Sequence, residues 1–244
     1  MRTGNPALND SMFEHVGVAI TPDTAMTIQG TVNKTAILLL LVILPAAWTW
    51  NQAMTNIQQV YPFMIGGLLL GLVFALITAF KMTWAPYTAP IYSICEGFFL
   101  GAFSAYFETR YPGIVFSAVT LTFGVLLVML VAYKSRLIRA TEKFKMGVVA
   151  ATGGIFLVYL VTMVLGFFGV RVPYIYEGGI VGIGFSIFVV IIAALNLVLD
   201  FDFIEKGAES GAPKYMEWYG AFAIMVTLIW LYIEILRLLT KLRD

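Results

Sequence analysis

Cysteine, histidine and charge are all scarce in this chain. There is one cysteine, Cys95, and one histidine, His15. A single cysteine excludes an internal disulfide and any zinc site built on cysteines. The histidine stands in the polar N-terminal stretch, so no histidine-based triad or metalloprotease motif can form in the apolar part of the chain. Gly-x-Ser-x-Gly and Walker signatures are missing too. No enzymatic activity and no cofactor are expected. Charged residues make up 12% of the sequence, about half of what a soluble domain carries. The net charge of +1 offers a nucleic acid no electrostatic footing.

What the chain does have is apolar length. It is 60% hydrophobic, with a mean hydropathy of +0.89. Seven runs stand out: Val32–Trp50, Tyr61–Phe80, Thr88–Phe107, Ile114–Tyr133, Met146–Phe168, Gly178–Leu199 and Trp218–Leu239. About 20 apolar residues at 1.5 Å rise cross a hydrocarbon core of about 30 Å. The expected fold is therefore all-α, a polytopic bundle of seven transmembrane helices with the lipid bilayer as its main partner. Residues 32–244 form this domain, and residues 1–31 read as a flexible polar tail. Asn5-Pro6 and Thr21-Pro22-Asp23 are turn signals within the tail. It lacks the basic and apolar regions of a signal peptide.

The cations alternate from turn to turn. One side collects Arg2, Lys34, Lys81, Lys134, Arg136, Arg139, Lys143, Lys145, Lys206 and Lys214. The other has Arg110, Arg171, Arg237, Lys241 and Arg243. The positive-inside rule places the N-terminus in the cytoplasm and, after seven spans, the C-terminus outside. Tyr61-Pro62, Tyr111-Pro112 and Pro173-Tyr174 recur on the outer side, where tyrosine suits the wet–dry boundary. Pro45 is expected to kink the first helix. Glycines cluster at Gly66-Gly67-Gly71, Gly97–Gly101, Gly153-Gly154 and Gly178–Gly184. Small residues let helices approach closely in lipid, which points to a tightly packed bundle.

Few ionisable residues fall inside the runs, and charge in lipid is costly, so function is sought there first. Glu96 lies mid-run beside Cys95, which itself reads as a small core residue. Asp200 and Asp202 close the sixth run. Two residues apart on a helix, they point to different sides. Asn196 stands one turn before Asp200 and extends a polar stripe inward, so Asp200 is the better pathway residue. Asp202 reads as a helix end near Glu205 and Lys206. Glu234 and Arg237 lie three apart on one face of the last run. They read either as a local ion pair with Arg237 reaching outward or as a carboxylate tuned by its neighbour. Glu96, Asp200 and Glu234 are thus the candidate ion or proton pathway, with Asp202, Asn196 and Arg237 secondary. Calcium favours oxygen ligands, and Asp200 is the candidate to meet it.

The ordered set of Glu96-Gly-Phe-Phe-Leu-Gly101, a basic fourth loop, Leu199-Asp-Phe-Asp-Phe-Ile204 and Leu231-Tyr-Ile-Glu234 resembles the Bax-inhibitor (TMBIM, YccA-like) family. Met26–Thr35 is similar to the bacterial branch of that family. The resemblance runs from about residue 26 to the end. It implies seven helices with the last one central, a multi-pass protein of the plasma (inner) membrane, and a pH-sensitive calcium leak. In that mechanism two acids, one from each of the last two helices, share a proton; Asp200 matches the first and Glu234 the second. This chain departs from the pattern with Glu for Asp at the second acid and no arginine within the early helices. A hairpin folded near Ala208–Pro213 would set Asp200 opposite Gly220, leaving Glu234 about 20 Å away along its helix. The resemblance equally implies a non-conducting regulator of a membrane protease or stress pathway, bound to another membrane protein. Carboxylates also serve a proton-coupled transporter.

Overall fold

The computed structural model describes residues 25–169 and 179–243. Most of the expected tail, including Arg2 and His15, lies outside the described residues, as do Arg171 and Pro173-Tyr174. The described chain is all-α. Its helices are α1 (Ile28–Thr55), α2 (Ile57–Phe80), α3 (Ala85–Arg110), α4 (Ile114–Lys134), α5 (Glu142–Phe167), α6 (Ile180–Glu209) and α7 (Met216–Arg243), with a short 3-10 turn at Met82–Trp84 before α3. Six of these seven are long and apolar enough to cross a membrane; α3 is the exception. The reason is what α3 buries: Thr88, Ser93, Glu96 and Ser104 face inward. Seven runs were expected on length alone.

Helix ends follow local chemistry. Thr27 caps α1, its hydroxyl accepting from Gly30 N. Ordered structure thus begins inside the stretch expected to be flexible: Met26 is 2% exposed, and Ala25 bridges Pro213. Asn56 alone separates α1 from α2, and its side chain accepts from Gln58 N. Pro62 consequently sits inside α2, beyond its first turn, although the apolar run begins only at Tyr61. Thr141 caps α5 by accepting from Phe144 N. Such caps satisfy backbone donors that a helix start leaves unpaired.

The chain divides into two compact units. One holds α1, α2 and α3 with the α6–α7 turn, from Asp202 to Val226. Here α3 lies between α1 and α2, which touch each other far less. Glycines set the spacing. A Cβ on Gly67 would stand 2.5 Å from the Cys95 carbonyl oxygen, and one on Gly71 2.8 Å from Glu96 Oε1. Gly97 and Gly101 leave the opposite face of α3 flush against Val42, Pro45, Ala46 and Thr49 of α1. Both small-xxx-small pairs are therefore helix contacts. Gly153, Gly154, Gly179 and Gly184, expected to do the same, have open space where a Cβ would be.

The other unit holds α4, α5, α6 up to Phe201 and α7 from Thr227. Its apolar contacts include Ile155, Val189 and Ile192, with Tyr159, Phe185 and Trp230 packed against them. Helix α7 differs from the rest of the chain. In its most apolar window 67% of residues are buried, against 17–39% in the other five membrane-length helices.

Candidate functional site

The most highly bonded carboxylate escaped the sequence reading. Glu217, in the first turn of α7, is 0% exposed. Its Oε1 accepts from the Thr27 backbone N–H and the Thr27 hydroxyl, each at 2.9 Å. Lys214 Nζ is 3.0 Å from the same oxygen, and Lys34 Nζ donates to Oε2. Lys34 also lies over the Trp218 ring. Met26 N donates to Ala212 O beside this cluster. Gly30 has no room for a Cβ, because the Glu217 carboxylate occupies that position. The result is a clasp between the start of α1 and the α6–α7 turn. One signal was legible: Lys214 and Glu217 stand three apart at a helix start, where an acid is favoured. The Thr27 and Lys34 partners could not be read, because 190 and 183 residues separate them from Glu217.

Asp200 is 1% exposed, and among the described residues its Oδ2 has no hydrogen-bond partner. The carboxylate accepts a hydrogen bond from the Thr227 side chain on α7. This corrects the expected register. Helix α6 runs on to Glu209 and the turn extends through Tyr215, so Asp200 meets Thr227, while Gly220 lies against Ile204 and Thr31. Thr227 precedes Glu234 by seven residues, about 10 Å along the helix and half the expected offset. The group facing Asp200 on the last helix is a hydroxyl, not a second acid. Asn196, one turn earlier, turns elsewhere: its amide donates to Thr152 Oγ1 on α5 and to its own helix at Ile192 O, both at 2.8 Å. Asp202 pairs with Lys206 at 3.1 Å near the helix end.

Glu234 is 1% exposed and fully engaged. Tyr159 of α5 donates its hydroxyl to Oε1 at 2.9 Å. Arg237 Nη1 reaches Oε1 at 3.0 Å, Oε2 at 3.2 Å and the Tyr159 oxygen at 2.7 Å. The guanidinium also stacks 5.1 Å from the Tyr159 ring centre. The local ion pair, one of the two readings the sequence left open, is present, and Tyr159 is the partner that sequence did not reveal. One turn on, Lys241 is 5% exposed and donates to Gly182 O and Ser186 Oγ at the start of α6. This cation, counted from sequence with the outer tail, therefore anchors α7 to α6.

Glu96 sits in the α1–α3 unit, 8% exposed, its carboxylate against the bare backbone of Gly71. Among the described residues no hydrogen bond supports it. Ser93, one turn before it, is fully buried, and its hydroxyl has no partner among the described residues. Among the described residues no three His, Cys, Asp or Glu side chains gather into a metal cage. The chemistry offered is thus of two kinds. Glu217 and Glu234 are saturated carboxylates that hold helices together. Asp200 and Glu96 are buried carboxylates with capacity to spare.

No curated protein and no solved structure matches this chain. A family match does exist, and it covers both units and all seven described helices. Residues 5–244 match the family described as Bax inhibitor 1 like, and the protein belongs to it.

Proposed function

We propose that the protein is a pH-sensitive, calcium-permeable leak channel of a plasma (inner) membrane. It crosses that membrane seven times, with a cytoplasmic N-terminus and the last helix central in the bundle. The burial of α7 supports the central position. The span assignment of α3 draws on its 26-residue length, about 39 Å of helix, and on polar residues that turn inward.

One observation carries the reading: Asp200 is buried with a carboxylate oxygen that has no partner among the described residues. An ionised carboxylate left that way costs several kcal/mol. A proton or a passing cation relieves the cost, and protonation removes the charge that attracts the cation. Calcium takes about six to eight oxygens. Asp200 and Thr227 supply only a few, so an ion passing them keeps most of its water. Weak, transient contact of that kind suits conduction. Of the other expected acids, Glu96 keeps a carboxylate with capacity to spare within its own unit, while Glu234, held by Tyr159 and Arg237, would have to release those partners to meet an ion.

Calcium and proton flux into liposomes holding the purified protein, compared across pH, tests this. Calcium flux is expected in the wild type and to change with pH. Asp200→Asn is expected to abolish the pH response, Glu96→Gln to alter it, and Asp202→Asn, whose side chain already pairs with Lys206, to retain most of it. Equal effects of the two aspartate variants would overturn the choice of acid. No flux at any pH would favour the non-conducting regulator.

A further inference from the structure

The turn between α4 and α5 concentrates cations that the rest of the fold leaves unused. Lys134, Arg136, Arg139 and Lys143 are all exposed. None of the four makes an ion pair among the described residues, whereas the nearby Lys145 is buried and reaches Glu142 at 3.6 Å. Between the cations stands Leu137, 83% exposed, with Met146, 67% exposed, on the first turns of α5. The backbone presents Leu137 deliberately. Arg136 adopts a left-handed conformation, φ 58°, which a residue bearing a side chain rarely takes. That turn brings the Leu137 and Ile138 N–H groups back onto Ala132 O. The positive end of the α5 helix dipole adds to the same field.

A solvated loop has no use for an apolar tip ringed by unpaired cations. A loop seated at a bilayer surface does: the apolar side chain enters the acyl boundary while lysine and arginine stems reach the phosphate level. The loop joins two membrane-length helices, so it is already at that depth. We propose that the α4–α5 turn is a docking surface for anionic lipid headgroups, with Lys134, Arg136, Arg139 and Lys143 holding phosphates and Leu137 inserted among them. This assignment does not depend on whether the protein conducts ions.

The test is native mass spectrometry of the full chain taken from vesicles of equal phosphatidylglycerol and phosphatidylcholine with the same acyl chains. The wild type is expected to retain the anionic lipid about tenfold or more over the neutral one, a preference that falls as salt rises. The variant Lys134→Gln/Arg136→Gln/Arg139→Gln/Lys143→Gln is expected to approach parity without losing phosphatidylcholine. Two double variants, Lys134→Gln/Lys143→Gln and Arg136→Gln/Arg139→Gln, guard against misfolding of the quadruple one; each is expected to lose preference about fivefold or more. Lys81→Gln, on another turn, should leave the preference unchanged. Absence of preference in the wild type, wild-type preference in the neutralised variants, or an equal loss in Lys81→Gln would each overturn the proposal.

Discussion

At Glu217 a single side chain closes four bonds, and its value is measurable against a neighbour of the same charge. Glu217→Gln keeps the shape but leaves Lys34 and Lys214 facing a neutral amide. Breaking a buried pair in this way costs about 3 kcal/mol. Asp202→Asn breaks a half-exposed i,i+4 pair with Lys206, a change of about 0.5 kcal/mol or less. Thermal unfolding in detergent is expected to separate the two variants clearly, and similar melting temperatures would show that the clasp contributes little. Burial of Glu234 was legible in the sequence, because an acid within an apolar run has nowhere else to go; Asp200, just past the end of the sixth run, is buried more deeply than its place there suggested. Their partners were not legible. Thr227 and Tyr159 carry neutral hydroxyls, unremarkable in any one helix, and become partners only when α5, α6 and α7 are set side by side.

Among the helices, Gly66 and Gly67 provide a paired test at adjacent positions. Gly67 lies against α3, where a Cβ would meet backbone at Cys95 and Phe99, while Gly66 meets nothing within 4 Å. Gly67→Ala must push α2 from α3 and is expected to destabilise by about 1–3 kcal/mol. Gly66→Ala is expected to be neutral or to stabilise by about 0.5–1 kcal/mol, since alanine forms helix more readily. Equal melting temperatures of the two variants would mean that the α2–α3 contact is looser than described. Helix positions were readable from apolar length, to within a few residues at most ends. The larger errors came where a polar cap lies outside the apolar run: Thr27 starts α1 before Val32, Asn56 starts α2 before Tyr61, and α6 continues through Glu209. An apolar-run reading finds the lipid-facing length and misses the turns of helix that extend beyond it.

For the molecule as a whole, orientation is the open variable with the most direct assay. The expected arrangement has the N-terminus inside and the C-terminus outside. Of the cations near that end, Lys241 is bonded to Gly182 O and Ser186 Oγ of α6 and so does not act as a tail charge in setting the side. Reporter fusions at the two ends are expected to read opposite sides, and a cytoplasmic signal from both would leave six spans. Family membership was legible from the order of short motifs. The split into two units was not, because both α6 and α7 pass from one unit into the other and no composition change marks the crossing. The clasp also sets an order of events in biosynthesis. Thr27 and Lys34 leave the ribosome early, whereas Glu217 follows some 190 residues later. Until then the first helix waits with its capping segment unfastened and Lys34 without its counter-charge. Completion of the last hairpin is thus what locks the first helix in place, so a chain interrupted before Glu217 remains open at the end where it began.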